Sequence, residues 1–180
     1  PRSTVATSTE IFDYIKLLYA RIGKTFSPVS GELVKRHSVT DVTDFILSQQ
    51  EGTRIPVTCP LVRKEGRSLA TELTLLLEQG FSRLVYKNEM VRIDEAIESG
   101  NVADDKNLNI LIDRFASNFQ DNELQARISD SVQTAFFEGN GICHVELEKD
   151  GKTTRKKFSN YFELDGIQFE EPSVNLFSFN

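Results

Sequence analysis

Ile142-Cys143-His144-Val145-Glu146-Leu147-Glu148-Lys149-Asp150-Gly151-Lys152-Thr153-Thr154-Arg155-Lys156-Lys157-Phe158 decides the fold. Two strand-like runs, Ile142 to Leu147 and Thr153 to Phe158, flank Asp150-Gly151. That dipeptide suits a tight hairpin turn because both residues tolerate positive φ. Just upstream, Leu124, Ile128, Val132, Ala135 and Phe136 recur on one helical face. Asn122 is placed to cap that helix, and Gly139-Asn140-Gly141 to end it. A helix feeding an antiparallel hairpin makes the fold mixed α/β.

The same signals repeat outward. Ser68 caps a helix with the stripe Leu69, Leu73, Leu76 and Leu77, closed by Gly80. Phe81 to Tyr86 and Met90 to Ile93 read as a second hairpin around Lys87-Asn88-Glu89. Leu108 to Phe115 is a strand. Thr40 is expected to cap a helix that buries Val42, Phe45 and Ile46 and stops at Gly52. Thr53 to Val62 reads as a strand whose Pro56 and Pro60 cannot donate to a ladder, which points to an edge or bent position. Thr7-Ser8-Thr9-Glu10 opens the first helix, with Ser8 or Thr9 as cap, Ile11, Tyr14 or Ile15, Leu18 and Ile22 as its apolar stripe, and Gly23 as its stop. The acidic stretch Asp94 to Asp105 reads as an exposed loop with at most a helical turn, and the tail from Tyr161 shows no clear period. The sum is a mixed α+β fold: a partly antiparallel sheet with hairpins, covered by about four helices.

A chain of 180 residues, 39% hydrophobic, builds one domain or one domain with a satellite. Its net charge of -6 argues against a broadly basic nucleic-acid surface. Cys59 and Cys143 read as buried free thiols rather than a disulfide. No signal peptide or membrane-length apolar run is present, so a cytoplasmic protein is expected. The first residue is Pro1, so an internal piece of a longer protein is expected. Catalytic patterns are missing: there is no G-x-x-x-x-G-K-[ST] phosphate loop and no G-x-S-x-G elbow. His37 and His144 read as structural, and the acidic stretch lacks the spacing of a calcium loop. A non-enzymatic module is the expectation.

The two ends are more specific. Pro1-Arg2-Ser3-Thr4-Val5-Ala6-Thr7-Ser8-Thr9-Glu10-Ile11-Phe12-Asp13-Tyr14, running on to Leu17-Leu18-Tyr19-Ala20-Arg21-Ile22-Gly23, resembles the UvrA family of damage-sensing ATPases of bacterial nucleotide excision repair. Phe169-Glu170-Glu171-Pro172 with Leu176-Phe177-Ser178-Phe179-Asn180 resembles the family's F-E-E-x-x-x-x-L-F-S-F-N-N string. Between them, Gln79-Gly80-Phe81-Ser82-Arg83 resembles Q-G-Y-x-R, and Ile112-Asp113-Arg114-Phe115 resembles V-x-D-R-x. Leu124 to Ala135 resembles the helix that follows in the family.

The resemblance implies an interaction module that docks the partner protein UvrB, spanning 39–148. Residues 1–38 and 149–180 would be flanking parts of a nucleotide-binding region. Arg83 and Arg114 fall at family positions for the UvrB contact, with Asp113 alongside. The plain alternative for these arginines is a solvated side chain near Glu89 or Asp113. A second reading assigns DNA contact to Lys152, Arg155, Lys156 and Lys157 on the last long strand; its plain alternative is a lysine-guarded sheet edge. ATP would bind only in the rest of the parent, which the resemblance makes a homodimer; this piece alone is expected to be a monomer, or to self-associate through a first helix and tail suited to packing on the rest of the parent. Zinc is likewise not expected here. Ser27-Pro28-Val29-Ser30-Gly31 and Phe162-Glu163-Leu164-Asp165-Gly166 stand where many relatives carry C-P-x-C-G, and serine or phenylalanine is a poor zinc ligand. Packing or turn chemistry is expected in place of the metal.

Overall fold

A computed structural model describes residues 10–100, 102, 107–117 and 122–177. They divide into two compact units, one of 10–36 with 161–177 and one of His37–Asn160. The larger unit is built on a six-stranded sheet in the order β3-β2-β4-β1-β5-β6. The strands are β1 (Arg54–Pro60), β2 (Arg83–Tyr86), β3 (Glu89–Arg92), β4 (Asn109–Ala116), β5 (Ile142–Lys149) and β6 (Lys152–Ser159). Every neighbouring pair is antiparallel. The two hairpins turn on residues with positive φ: Lys87 (50°) with Asn88 (65°), and Asp150 (51°) with Gly151 (73°). Both are two-residue turns whose backbone matches the strand twist. The boundary expected at 148 falls inside the second of them, and β6 joins the larger unit because it pairs with β5 along its full length.

One face of the sheet carries the core. Ile55, Val57, Cys59, Leu84, Ile110, Phe115, Cys143, Val145 and Phe158 form one cluster with helix residues. The helices of this unit are α2 (Val39–Leu47), α3 (Leu69–Glu78), α4 (Ile93–Ser99) and α5 (Asn122–Glu138). From α5, Ile128, Val132, Ala135 and Phe136 are buried as their spacing predicts. Each large apolar side chain removed from water contributes roughly 1.5–3 kcal/mol. The helix ends close against the sheet. A Cβ on Gly139 would lie 2.2 Å from the Ile142 carbonyl oxygen and 2.7 Å from Cys59 Cβ. Cys59 and Cys143 are buried and free, and burial raises both thiol pKa values, that of Cys143 to about 12.

Several local expectations are corrected. The cap of α2 is Ser38, not Thr40. Ser38 is extended, accepts from the Asp41 amide at 3.1 Å, and its own amide donates to Asp41 Oδ2 at 2.7 Å, which completes a capping box. Strand β1 is central rather than at an edge. It tolerates Pro56 because its ladder with β5 has no bridge at 55 or 56, while its pairing with β4 shifts between Val57 and Thr58. The acidic stretch contains a real helix, α4, held by buried Ile93 and Ala96 and closed by Gly100 at φ 60°. Ser68 caps α3 as read. The proposed caps Ser8 and Thr9, and the side chain of Asn122, lie outside the described residues.

The smaller unit holds α1 (Ile11–Ile22), a short hairpin β7 (Glu163–Leu164) and β8 (Ile167–Gln168), and a 3-10 turn at Asn175–Phe177. The hairpin lies in the tail that shows no period in the sequence; a two-residue turn at Asp165 (φ 56°) and Gly166 (φ 77°) makes it. None of the residues of α1 is buried. The two segments aligned with C-P-x-C-G meet here. Asp165 Oδ2 accepts hydrogen bonds from Ser27 Oγ, from Ser30 Oγ at 2.6 Å and from the Ser30 amide at 3.2 Å. These bonds hold the Asp165 carboxyl below its usual range, Ser27 first. Hydroxyls and an already engaged carboxylate do not suit zinc.

Candidate protein-docking site

The pairing shift between β1 and β4 sets the site. Val57 pairs with Asp113, but Thr58 pairs with Leu111, so Ile112 is an extra residue on β4. Such a bulge reverses which side chains face which side of the sheet beyond it. Asp113 shares the face of core residue Val57, and Arg114 shares the opposite face with Pro56 and Leu111. Continuing the β2–β4 register puts Arg83 beside Leu111, and Arg83 pairs across the hairpin with Arg92. Arg83, Arg92 and Arg114 therefore line one cleft of about 230 Å³ with Ser82 and Leu111.

The expected site residues play different parts there. Arg83 is half-exposed and has no ion pair or hydrogen-bonding side-chain partner among the described residues. Arg114 is exposed, with Nη1 3.9 Å from Met90 Sδ. Asp113 also borders the cleft, but its carboxylate is engaged by α5. Arg127 of α5 donates to it through Nε at 2.9 Å and Nη2 at 2.6 Å, and Ser131 donates at 3.0 Å. Asp113 also accepts from the Arg114 amide at 2.7 Å. It thus ties β4 to α5 and fixes the backbone from which Arg114 springs. The Arg127 guanidinium lies 5.2 Å from the Phe115 ring centre, and its pKa is raised, chiefly by the bond to Asp113.

Arg92 was not singled out in the sequence, although it mirrors Arg83 across Lys87-Asn88. A fork from Arg92 holds Asp94: Nε donates to Oδ1 at 3.0 Å and Nη2 donates to Oδ2. Glu95 Oε1 lies 3.5 Å from Nε. The fork lowers the Asp94 pKa to about 2 and raises that of Arg92.

The four basic residues of β6 do not form a single stripe. Arg155 and Lys157 alternate with Lys152 and Lys156 between the two faces. Arg155 donates to Glu146 Oε1 at 3.0 Å and 2.7 Å, and Glu146 is 6% exposed. The Lys156 ammonium sits 4.2 Å from the Phe45 ring centre and 5.2 Å from that of Phe158. Among the described residues no cluster of three or more His, Cys, Asp or Glu side chains is arranged to hold a metal ion. No helix among them is long and apolar enough to cross a membrane.

Comparison with known proteins places this cleft inside a recognised module. Residues 37–149 match the family model described as the UvrA interaction domain. The chain belongs to the UvrA family. It is 33% identical over 183 residues to UvrABC system protein A of Borreliella burgdorferi, covering 100% of this chain and 19% of that protein. The corresponding proteins of Rickettsia conorii (32%, 20% of its length) and Methanothermobacter thermautotrophicus (34%, 19% of its length) also match across the whole chain. The chain thus spans about a fifth of the length of the UvrA relatives it matches. The arginine cleft lies wholly within the matched interaction domain.

Proposed function

We propose that the His37–Asn160 unit docks UvrB during nucleotide excision repair, through the sheet face that bears Arg83 and Arg114. The observation that supports this reading is the bulge at Ile112, which gathers Arg83 and Arg114 on that face and turns Asp113 away from it. Guanidinium groups suit carboxylates on a partner surface and are common at binding hot spots. In a chain of net charge -6, such a cationic cleft is a local exception. ATP and zinc binding, and the handling of damaged DNA, belong on this reading to the rest of the parent protein.

Titration calorimetry of the chain against UvrB tests the reading. Binding is expected to weaken as salt rises. The double variant Arg83→Ala/Arg114→Ala is expected to weaken it by at least about 100-fold, while Lys156→Glu leaves it unchanged. A folded chain that does not bind UvrB overturns the proposal. DNA contact through β6 has less support, because Arg155 and Lys156 are engaged inside the unit.

A further inference from the structure

We propose that Arg92 is a further specificity-determining residue of the docking cleft, and that it takes a carboxylate on the partner alongside those met by Arg83 and Arg114. This rests on the docking reading above. Register supplies the first ground: Arg92 is the cross-strand partner of Arg83 and shares its face of the sheet. Shared lining is the second, since Arg83, Arg92 and Arg114 all border the same cleft. The third is the state of the side chain. Arg92 is 56% exposed, yet its guanidinium is already fixed in a plane by Nε and Nη2 bonds to Asp94. Nη1 has no partner among the described residues, so two donors stay available at a set angle.

The three arginines are therefore not equivalent. Arg83 brings unpaired charge and must be ordered when the partner arrives. Arg92 brings no net positive charge, because Asp94 and Glu95 lie against it, so its part is directional donation rather than attraction, and it costs little to order. A fixed fork with free donors selects the position of an acceptor; an unpaired guanidinium attracts charge from a distance. The occupant that fits is an acidic protein surface that offers at least two carboxylates across the cleft. Among the domain's own carboxylates, Asp113 is held by α5, while Asp94 and Glu95 occupy the Nε and Nη2 side of Arg92 and leave its Nη1 to an incoming acceptor.

The test is calorimetry of the 180-residue chain against UvrB over a salt series, with Arg92→Ala, Arg92→Lys and the Arg83→Ala/Arg114→Ala double variant. Arg92→Ala is expected to weaken binding about tenfold with nearly the same slope of log Kd against log salt. Arg92→Lys is expected to be as weak as Arg92→Ala, because an ammonium cannot hold Asp94 and present a planar pair of donors. The double variant is expected to flatten the slope. Unchanged binding by Arg92→Ala, with binding lost in the double variant, overturns this inference and leaves the docking reading standing. Full rescue by Arg92→Lys also overturns it, since charge alone would then suffice. Absence of UvrB binding by the folded parent chain overturns both. A 30-nucleotide DNA duplex is titrated in parallel: binding to it that Arg92→Ala abolishes, without UvrB binding, makes the cleft a phosphate site and overturns the protein-partner assignment. Circular dichroism and melting temperature, expected unchanged in Arg92→Ala, exclude misfolding.

Discussion

His144 sits beside Thr58 on the sheet face that bears Arg114, with Nδ1 3.0 Å from Asn109 Oδ1. Burial lowers its pKa to about 4, and the cations Arg155 and Lys157 on β6 push the same way. An unfolded histidine titrates near 6.5, so between pH ~6.5 and ~4 the unfolded chain binds the extra proton and the folded one does not. Stability contributed by neutral His144 is thus complete above that window and falls as pH drops through it. Urea midpoints at pH 7 and pH 5 should therefore draw apart in the parent chain and less so in His144→Gln; parallel losses would place the acid sensitivity elsewhere. At this scale the sequence was readable at the Asp150-Gly151 turn, but the loop read as Lys87-Asn88-Glu89 is a two-residue turn, because Glu89 pairs with Tyr86. That one-residue difference sets Arg83 opposite Arg92, a pair the longer loop does not make. Asp113 was named from the family resemblance alone, and its bonds to Arg127 and Ser131 depend on where α5 packs, of which periodicity carries no information.

Helix α2 tests the reading of elements. Ser38→Ala removes the hydroxyl half of the capping box, leaving the backbone amide on Asp41, and is expected to cost about 1 kcal/mol, whereas Thr40→Ala, inside the first turn, should cost less than about half of that. Chemical denaturation of the two variants checks the assignment. A larger loss in Thr40→Ala would return the cap to the residue suggested by the sequence. The mistaken cap shows what local pattern omits: both are hydroxyl residues within three positions of Asp41, and the extended backbone of Ser38 with its bonds to Asp41 decides between them. Strand β1 was misplaced for a related reason. Its prolines argue against a central position, but a skipped bridge on one side and a bulge on the other let the chain accommodate them. Helix α4 was hidden by charge, since acidic residues line its exposed side and only Ile93 and Ala96 among its residues are buried.

For the whole molecule, the family and the mixed fold were legible because end motifs and hairpin turns are local. The order β3-β2-β4-β1-β5-β6 was not, because β1 joins β4 and β5 from far along the chain. The apolar side of α1 has a physical consequence for the chain as given. Tyr14 is 66% exposed and Ile22 67%, with Ile11, Ile15, Leu17 and Leu18 also in solvent. Such a patch favours association. Sedimentation velocity is expected to show a concentration-dependent oligomer that Ile15→Glu/Leu18→Glu converts to monomer; a monomeric parent chain at all concentrations would contradict this. The bulge carries a consequence of another kind. Because Ile112 shifts the alternation of β4 by one, the bulge determines which side of the sheet Arg114 serves. Strict alternation over the same residues would keep every charged side chain and aim Arg114 into the hydrophobic interior. Within this segment the pairing pattern is under the same constraint as chemistry, since losing the bulge would reverse the arginine without exchanging a single side chain.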